Sequence, residues 1–550
     1  MTRTTLMAQL RRLARLSAQC ERTGQSADEV VGRAAEGAAQ DGPSDAGRRR
    51  FAQGAIAGVA AASAGALAPT AWVNAANLSR RAMAKLGLRG NVAVIGAGMA
   101  GLACATELTR LGITARVFDA DARVGGRVRS LRGYFPGQTV ELGGEFIGRS
   151  HHTMLGYARA FGLTLEDASM FPGQRYFDFG GQRYTEAQVL EEFRGFSSSI
   201  RQDLETLSFP TADRHTEADA LFDFMTLDDY LQLYGAGDLL RGLIGAAYAA
   251  EYGAGLDEQS AVGFLRFAYA DKRAKFSSFA GDGDTHFHVV EGNDKIATGL
   301  AQSLPSPVML GHRLVDVRKL ASGRVRLTFD VGGRRIQSDY DAVVLTLPFS
   351  VLRNVQLHAS LGVPEWKRQA IANATMSDNA KLFVGFKSSY WYLQHDCNGT
   401  GCSDNAALQS TWESNPSNGG EAQGVLTQLL GGAQARAVDP QRAQQHADGF
   451  VGALERVLPG ATAAAQRKAN GDYLVHVENW SRNPFSKGAY ACHRPGYFTT
   501  IAHNEAKPVG NLLFAGEHTS SFYEWQGTME GAATSGLRAA YEAYTLLGGR

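Results

Sequence analysis

The stretch VAVIGAGMAGLACATELTRLGITARVFDADARVGGRVRS, from Val92 to Ser130, decides how the chain folds. Its apolar start, residues 92–95, predicts a strand buried on both faces of a parallel sheet. A helix is predicted over residues 99–111, ending before Gly112, and residues 115–118 predict a second strand. A strand, a glycine turn, a helix and a second strand in this order indicate an α/β fold.

The turn after the first strand carries glycines at G-x-G-x-x-G spacing. Gly96 permits the tight turn, Gly98 lets a pyrophosphate approach the backbone, and Gly101 lets the helix lie close to the strand. Asp119 ends the second strand at the distance where an acid accepts hydrogen bonds from an adenosine ribose. The pattern predicts dinucleotide binding, with FAD and NAD both open at this point. The predicted contacts are Gly96, Gly98, Ala100, Gly101, Asp119 and Ala120.

Residues 123–130, RVGGRVRS, favour FAD. They resemble the R-x-G-G-R-x-x-[ST] segment of the glutathione-reductase-like flavoproteins, which closes over the FAD pyrophosphate. The resemblance places Gly126 and Arg127 at the pyrophosphate, where the arginine would supply charge-assisted hydrogen bonds.

Two further segments extend the resemblance to a family. Residues 139–147 run from a strand into a double-glycine turn, and residues 511–518 form an apolar run ending in Gly-Glu, before a helix that opens near Thr528. This order, from about residue 90 to 545, resembles the flavin-dependent amine oxidases, which include monoamine, polyamine and L-amino-acid oxidases. It implies further FAD contacts by Gly143, Gly144, Glu145, Phe146, Val315, Glu517, Thr528 and Met529.

The implied fold is α/β, with two interleaved domains. A glutathione-reductase-like FAD-binding Rossmann domain would be assembled from three chain segments, residues 91–150, 286–348 and 486–545. An α+β substrate-binding domain would take a helical part and a sheet part, residues 151–285 and 349–485. In the helical part, the apolar spacing predicts helices over residues 218–233 and 239–250.

The resemblance also implies a substrate pocket. Tyr490 retains one aromatic wall of the monoamine oxidase pocket, whereas Thr528 replaces the second. Glu524 and Trp525 fall where L-amino-acid oxidases have Gly-Trp beside the substrate. Trp525 would therefore be a wall, and the Glu524 carboxylate could pair with a substrate ammonium or guanidinium.

Other substrate contacts are open. The arginine that clamps the substrate carboxylate in snake-venom-type enzymes falls at Phe146, which leaves Arg149 or an unidentified arginine for that role. Trp412 and Glu413 could place an aromatic ring and an acid on a sheet facing the pocket, although ordinary sheet packing is the more common explanation for such residues.

Two departures from the family concern the flavin itself. Ala489 takes the position of the cysteine that binds the flavin covalently in monoamine oxidases, which implies a non-covalent FAD, although Cys492 follows three residues later. Many family members hold a lysine near flavin N5, and residues 347–355 contain none. Lys381 is expected on a strand away from the ring and is left unassigned.

The leading prediction is oxidative deamination of an L-amino acid. Hydride would pass to flavin N5, the imine would hydrolyse to a 2-oxo acid and ammonia, and O2 would be reduced to H2O2. An amine or polyamine oxidase that yields an aldehyde is the alternative, supported by Glu524, Glu413 and the missing carboxylate clamp. A flavin-binding protein without catalytic activity is a remote third possibility.

The composition of the chain limits the kinds of molecule that it is expected to bind. The 550 residues suffice for two interleaved domains, and a net charge of +1 gives no reason to expect nucleic acid. The five cysteines include no CxxC pair, so no metal site is predicted. Cys397 and Cys402 flank a short flexible loop and are a candidate disulfide. The oligomeric state is open, and a homodimer is one option.

The first ninety residues are predicted to be a leader and linker outside the fold. Residues 48–51, RRRF, precede an uncharged run at 54–71 that is too short and too weakly apolar for a convincing membrane span. This order resembles a twin-arginine export signal, which implies a periplasmic or secreted enzyme. The alternative is a basic leader on a cytoplasmic enzyme.

Overall fold

The computed structural model describes residues 5–40, 90–168, 173–270, 286–415, 423–520 and 525–548. The helices are α1 (Thr5–Thr23), α2 (Ala27–Gln40), α3 (Met99–Arg110), α4 (His152–Ala160), α5 (Glu186–Ser199), α6 (Arg201–Thr206), α7 (Glu217–Phe224), α8 (Leu227–Leu233), α9 (Asp238–Tyr252), α10 (Ala261–Ala270), α11 (Asp294–Ser303), α12 (Phe349–Leu352), α13 (Glu365–Asn373), α14 (Tyr390–His395), α15 (Gly432–Ala437), α16 (Ala443–Val457), α17 (Ala461–Ala464), α18 (Tyr497–Thr500) and α19 (Met529–Leu546). The strands are β1 (Val92–Ile95), β2 (Ala115–Phe118), β3 (Ser130–Arg132), β4 (Thr139–Glu141), β5 (Ile147–Gly148), β6 (Leu165–Asp167), β7 (Gln174–Phe179), β8 (Gln182–Tyr184), β9 (His286–Val289), β10 (Arg313–Lys319), β11 (Val325–Val331), β12 (Arg334–Tyr340), β13 (Ala342–Leu345), β14 (Gln356–Leu357), β15 (Thr375–Met376), β16 (Asn379–Phe386), β17 (Cys397–Ser403), β18 (Ser410–Glu413), β19 (Gly424–Gly431), β20 (Val475–Asn479), β21 (Ala491–Cys492) and β22 (Leu512–Phe514).

A parallel sheet in the order β2-β1-β13-β22 lies at the centre of the first half of the molecule. Val92 pairs with Ala115 on one side and with Ala342 on the other, and Val343 pairs with Leu512. All residues of β1 and β13 are buried, which explains their continuous apolar sequences. The strands come from the start, the middle and the end of the fold, so three chain segments assemble one sheet.

Helices α3 and α19 pack against each other on this sheet. They approach so closely at Gly536 that a Cβ there would collide with the backbone carbonyl of Ala100. Glycine is therefore required for this contact, which brings the last helix against the first glycine turn.

The second half is a mixed sheet in the order β20-β16-β19-β18-β17-β7-β8. In its antiparallel centre, Asn379 pairs with Gly431 and Lys381 with Leu429. Helices α5 to α10 supply the helical part. The α/β class, with a Rossmann sheet and an α+β second half, is confirmed, and the domain boundaries drawn from the sequence stay predictions.

One predicted helix is divided into two. The helix expected over residues 218–233 breaks after Phe224, where Met225 has extended backbone with ψ of 135°. Thr226 then caps α8 by accepting a hydrogen bond from the Asp229 N–H at 3.0 Å. This side-chain cap starts a new helix, and the apolar periodicity across the break concealed it. The helix over residues 239–250 is confirmed as part of α9.

The expectation that residues 1–90 lie outside the fold is wrong for residues 5–40. Helix α1 packs on α5 and α9 and helix α2 packs on α5, with Leu10, Leu13 and Leu16 buried in the core. The Arg12 guanidinium also donates to the Glu186 carboxylate at 2.6 Å. The spacing of these leucines places them on one helix face.

The export-signal candidate, residues 48–71, lies outside the described residues, so the periplasmic or secreted location stays a prediction. Within the described ranges, none of the helices is both long and apolar enough to cross a membrane.

The candidate disulfide between Cys397 and Cys402 is also wrong. Both residues belong to β17, where Cys397 pairs with Gln174 and Cys402 with Phe177 of β7. The segment expected to be a flexible loop is an irregular strand, and the pairing partners of its two cysteines are three residues apart on β7. This places the cysteines roughly 10 Å apart, which is too far for a disulfide. Both thiols are buried and free.

Candidate active site

A cavity between the two halves brings together most of the predicted site residues. Both glycine turns, the end of β4, the start of β16 and the segment before α19 contribute to its lining. The predicted residues on the lining are Gly96, Gly98, Ala100, Asp119, Ala120, Gly126, Arg127, Gly143, Gly144, Glu145, Phe146, Trp412, Tyr490, Glu517, Thr528 and Met529.

The first glycine turn has the shape that a phosphate requires. Gly96 has a φ of +111°, and a Cβ on Gly101 would collide with the Gly96 carbonyl oxygen. A Cβ on Gly98 would meet no heavy atom within 4 Å, so this backbone faces open space. Gly101 therefore lies beneath the turn as a packing residue and not on the lining, whereas Gly98 leaves room for a ligand.

Asp119 holds this turn in place. Its carboxylate accepts hydrogen bonds from the Ala97 N–H at 2.6 Å and from the Asp121 N–H at 2.8 Å. Burial raises the pKa of this carboxyl above its ordinary value. The acid thus joins the end of β2 to the turn after β1.

An ion pair joins the second glycine turn to the end of the chain. The Arg127 guanidinium donates to Glu517 Oε1 at 2.7 Å and to the Ala489 carbonyl at 2.6 Å. Glu517 Oε2 accepts from the Gly527 N–H at 2.6 Å. Three distant segments therefore meet at one arginine on the cavity wall.

The opposite end of the cavity contains a buried lysine. Lys381 lines the cavity, so the expectation that it lies away from the site is wrong. Its ammonium donates to Glu145 Oε2 at 2.7 Å and to the carbonyls of Glu141 and Gly143 at 2.9 and 3.0 Å. Trp412 Nε1 donates to Glu145 Oε1 at 2.8 Å.

Aromatic side chains surround this end. The Phe146 and Trp412 rings lie 5.7 Å apart between centroids. The Tyr490 hydroxyl donates to the Ala250 carbonyl at 2.8 Å, and the Asn379 side-chain amide donates to the same carbonyl at 3.0 Å. The C-terminal end of α9 thereby fixes two cavity-lining side chains.

Glu413 does not face the cavity, in contrast to the expectation. Neighbouring residues of a strand point to opposite faces, so Trp412 and Glu413 cannot both face the same space. The Glu413 carboxylate accepts from the Ser389 hydroxyl at 3.2 Å, and burial raises its pKa to about 8.

Four other predicted positions are not on the described lining. Arg149 is exposed, and Trp525 is half-buried, its carbonyl accepting from the Thr528 hydroxyl at 2.7 Å. Arg313 lines the cavity in place of Val315, which sits at an irregularity in β10. Glu524 lies outside the described residues.

Residues 99–543 match the family model described as flavin containing amine oxidoreductase. The chain belongs to this family. Within it, Polyamine oxidase 4 of Oryza sativa subsp. japonica is 25% identical over 473 residues, covering 82% of this chain and 88% of that protein. An L-amino-acid oxidase of Siganus canaliculatus is 23% identical over 474 residues, covering 82% and 84%.

A solved structure shares the fold. Cyclohexylamine oxidase from Brevibacterium oxydans IH-35A superposes with a TM-score of 0.69 at 21% identity, covering 83% of this chain and 99% of that one. Family members with amine and amino-acid substrates are thus about equally similar to this chain.

As a member of this family, the chain binds a flavin, for which the sequence predicts non-covalent FAD. The cavity fits such a group, because Gly98 leaves space at a helix N-terminus and Arg127 adds a cation beside it. Ala489 lies on the lining, where no cysteine is found among the described residues. Cys492 is buried in β21, paired with Thr375.

Sequence reasoning missed three residues at the end of the cavity opposite the first glycine turn. Lys381 and Asn379 lie on β16, and Leu429 lies on the neighbouring β19. All residues of both strands are buried, so no alternation in the sequence marks which ones face the cavity. An asparagine and a lysine in a strand that is otherwise apolar are the signals that could have been weighed more heavily.

Proposed function

We propose that this family member is an oxidase of primary amines that lack a carboxylate beside the amino group. The reaction converts a primary amine, O2 and water into an aldehyde, ammonia and H2O2. The observation that carries the proposal is the hydrogen bonding around Lys381 at the end of the cavity opposite the first glycine turn.

The Lys381 ammonium has no proton left for a substrate. An ammonium has three N–H donors, and these three bond to Glu145 and to the carbonyls of Glu141 and Gly143. A substrate carboxylate entering this end would have to displace one of these bonds, and the displaced acceptor would be left buried without a donor.

Glu145, in contrast to Lys381, keeps hydrogen-bonding capacity for a substrate. A carboxylate offers about four acceptor sites, and its bonds to Lys381 and Trp412 take one on each oxygen. This end of the cavity therefore offers hydrogen-bond acceptors to a substrate. That chemistry suits the N–H groups of an amine better than the oxygens of an amino-acid carboxylate.

The apolar walls suit the rest of such a substrate. Phe146, Trp412, Leu429 and Tyr490 line the same end, and the last is fixed by its bond to Ala250. Packed aromatic rings hold a carbon skeleton and exclude water from the reacting carbon. When bound, FAD supplies the chemistry, accepting hydride from the carbon that bears nitrogen and passing electrons to O2.

An L-amino acid, the leading prediction from the sequence, becomes the second candidate. Trp525, whose position matches the L-amino-acid oxidases, lies off the described lining, and so does Arg149, which would have had to bind the substrate carboxylate. The position aligned with the carboxylate clamp, Phe146, forms an aromatic wall.

The test compares substrates in pairs that differ by one carboxylate. Phenylethylamine and phenylalanine, tyramine and tyrosine, and cadaverine and lysine are each mixed anaerobically with the purified enzyme while flavin absorbance is followed. We expect bleaching by the amine of at least one pair, an aldehyde product, and H2O2 when air is admitted. Bleaching by the amino acids with a 2-oxo acid product would overturn the amine assignment, and bleaching without H2O2 would make the enzyme a dehydrogenase.

A further inference from the structure

Glu145 joins the two halves of the molecule across the cavity. It follows the double-glycine turn after β4, whereas its partners Lys381 and Trp412 belong to β16 and β18 of the mixed sheet. All three side chains are less than a tenth exposed. One carboxylate therefore determines the position of two side chains on the opposite wall.

The charges of this contact balance. A buried ammonium without a counter-ion is unfavourable, and so is a buried carboxylate without a cation. Lys381 and Glu145, here called the buried pair, are 2.7 Å apart and together carry no net charge. The wall that they form is accordingly neutral, although it contains a lysine.

We propose that Glu145 is a positioning residue of the active site, which fixes Lys381 and Trp412 on the cavity wall and cancels the lysine charge in the cavity that holds the flavin. This inference rests on family membership and on the buried pair. It does not depend on which amine or amino acid is the substrate.

Other titratable groups lie near the buried pair. The Glu141 carboxyl accepts from the Ser130 hydroxyl at 2.9 Å, and burial raises its pKa to about 7. His288 contacts Glu166 at 2.8 Å. The Arg127–Glu517 ion pair lies on the same cavity lining. The Glu145 charge acts on the pKa of both Glu141 and His288, so the potentials are measured at several pH values to separate the protonation of these groups from the charge of the buried pair.

The test measures the midpoint potential of the bound flavin in three variants. Glu145→Gln leaves a positive charge in the cavity and should raise the potential, because a cation favours the electron-rich reduced flavin. Lys381→Met leaves a negative charge and should lower it. The double variant E145Q/K381M is neutral again, and its potential should return close to that of the wild type.

Glu413→Gln is the matched control. Glu413 is a buried carboxyl next to Trp412 in sequence, but it points away from the cavity and should leave the potential unchanged. Shifts of the same sign in the two single variants, or no shift in either, would overturn the proposal. If E145Q loses its FAD, the double variant should regain it, and failure to do so would also contradict the charge balance.

Discussion

The two ends of the cavity are built in different ways. At the cofactor end, the backbone of tight turns forms most of the binding surface, and Gly96, Gly98 and Gly101 lie within six consecutive residues. At the substrate end, side chains form the surface, and Glu145, Lys381 and Trp412 are brought together from far apart in the chain. A site built from backbone turns leaves a local sequence pattern. A site built from side chains depends on how strands pair.

The largest effect is expected where backbone meets backbone. In Gly101→Val, the new Cβ would collide with the Gly96 carbonyl oxygen, which cannot move without opening the turn. We expect FAD content to fall roughly fivefold or more, since overpacking of this kind costs about 1–3 kcal/mol. The measurement is the ratio of flavin to protein absorbance after purification.

Gly156→Ala is the control for that variant. Gly156 lies within α4, and a Cβ there would meet no heavy atom within 4 Å. Normal FAD content in G101V would show that the turn is less constrained than its geometry indicates.

The next effect concerns the ion pair that closes the cofactor end. Arg127→Met removes the bonds to Glu517 and Ala489. The variant also lacks the charge-assisted hydrogen bond that Arg127 is predicted to donate to the FAD pyrophosphate. Such a bond contributes about 1.5–3 kcal/mol, so the FAD dissociation constant should rise roughly 10- to 100-fold. Isothermal titration of the apoenzyme with FAD measures it.

Arg129→Met provides the comparison. Arg129 is two residues further along, is off the described lining, and contacts Glu478 at 3.5 Å. An equal loss of FAD affinity in both variants would mean that general charge, and not the position of Arg127, holds the cofactor.

The sequence predicted the cofactor end well because each of its parts is short. β1, β2 and the glycine turn form within residues 92–118, and local spacing reports them. The substrate end was predicted poorly: Tyr490 and Trp412 lie on the lining, but Arg149, Glu413 and Trp525 do not, and Lys381 was placed elsewhere. Neighbouring strands and helices decide which face of a fully buried strand meets a cavity. The periodicity of the strand's own sequence carries no information about these neighbours.

Helices α1 and α2 were missed for a related reason. Their apolar residues are spaced as in an amphipathic helix, but the surface that they cover belongs to α5 and α9, more than a hundred residues away. Residues 5–40 also precede the part matched by the family model, which begins at residue 99.

A smaller effect is expected at the substrate end. Tyr490→Phe keeps the aromatic wall and removes the hydrogen bond to the Ala250 carbonyl. A neutral hydrogen bond contributes about 0.5–1.5 kcal/mol, so kcat/KM should fall roughly 2- to 12-fold while FAD content stays normal. Steady-state kinetics with the best substrate measures the change.

Tyr541→Phe is the matched control, because Tyr541 is a half-exposed tyrosine on α19 whose hydroxyl accepts from Arg110 at 2.8 Å. If Y490F lost FAD and kept its kcat/KM, Tyr490 would belong to the cofactor end and the comparison of the two ends would need to be redrawn.

The smallest effect concerns pH and stability. The pKa of Glu413 is about 8 in the folded protein and near 4.5 when unperturbed, so the folded state binds its proton more tightly. Proton binding by Glu413 therefore contributes to the free energy of unfolding. This contribution is at its maximum below pH 4.5 and is lost as pH rises towards 8. Wild type should therefore lose more thermal stability than Glu413→Gln between pH 5 and 8, by about a few °C in Tm.

Scanning calorimetry across that range measures the difference. Other carboxyls also have raised pKa values, and they titrate in both proteins and cancel in the comparison: Asp119, Glu141, Asp223, Glu505 and Glu542. Parallel Tm curves for the two proteins would show that Glu413 is ionised in the folded state throughout.

The contact between α3 and α19 has a consequence for biosynthesis. Strand β22 and helix α19 complete the parallel sheet and cover the glycine turn, and they lie more than 390 residues after β1 and α3. During translation, the first glycine turn leaves the ribosome long before its covering helix exists. We therefore expect stable cofactor loading to follow the synthesis of residues 512–546.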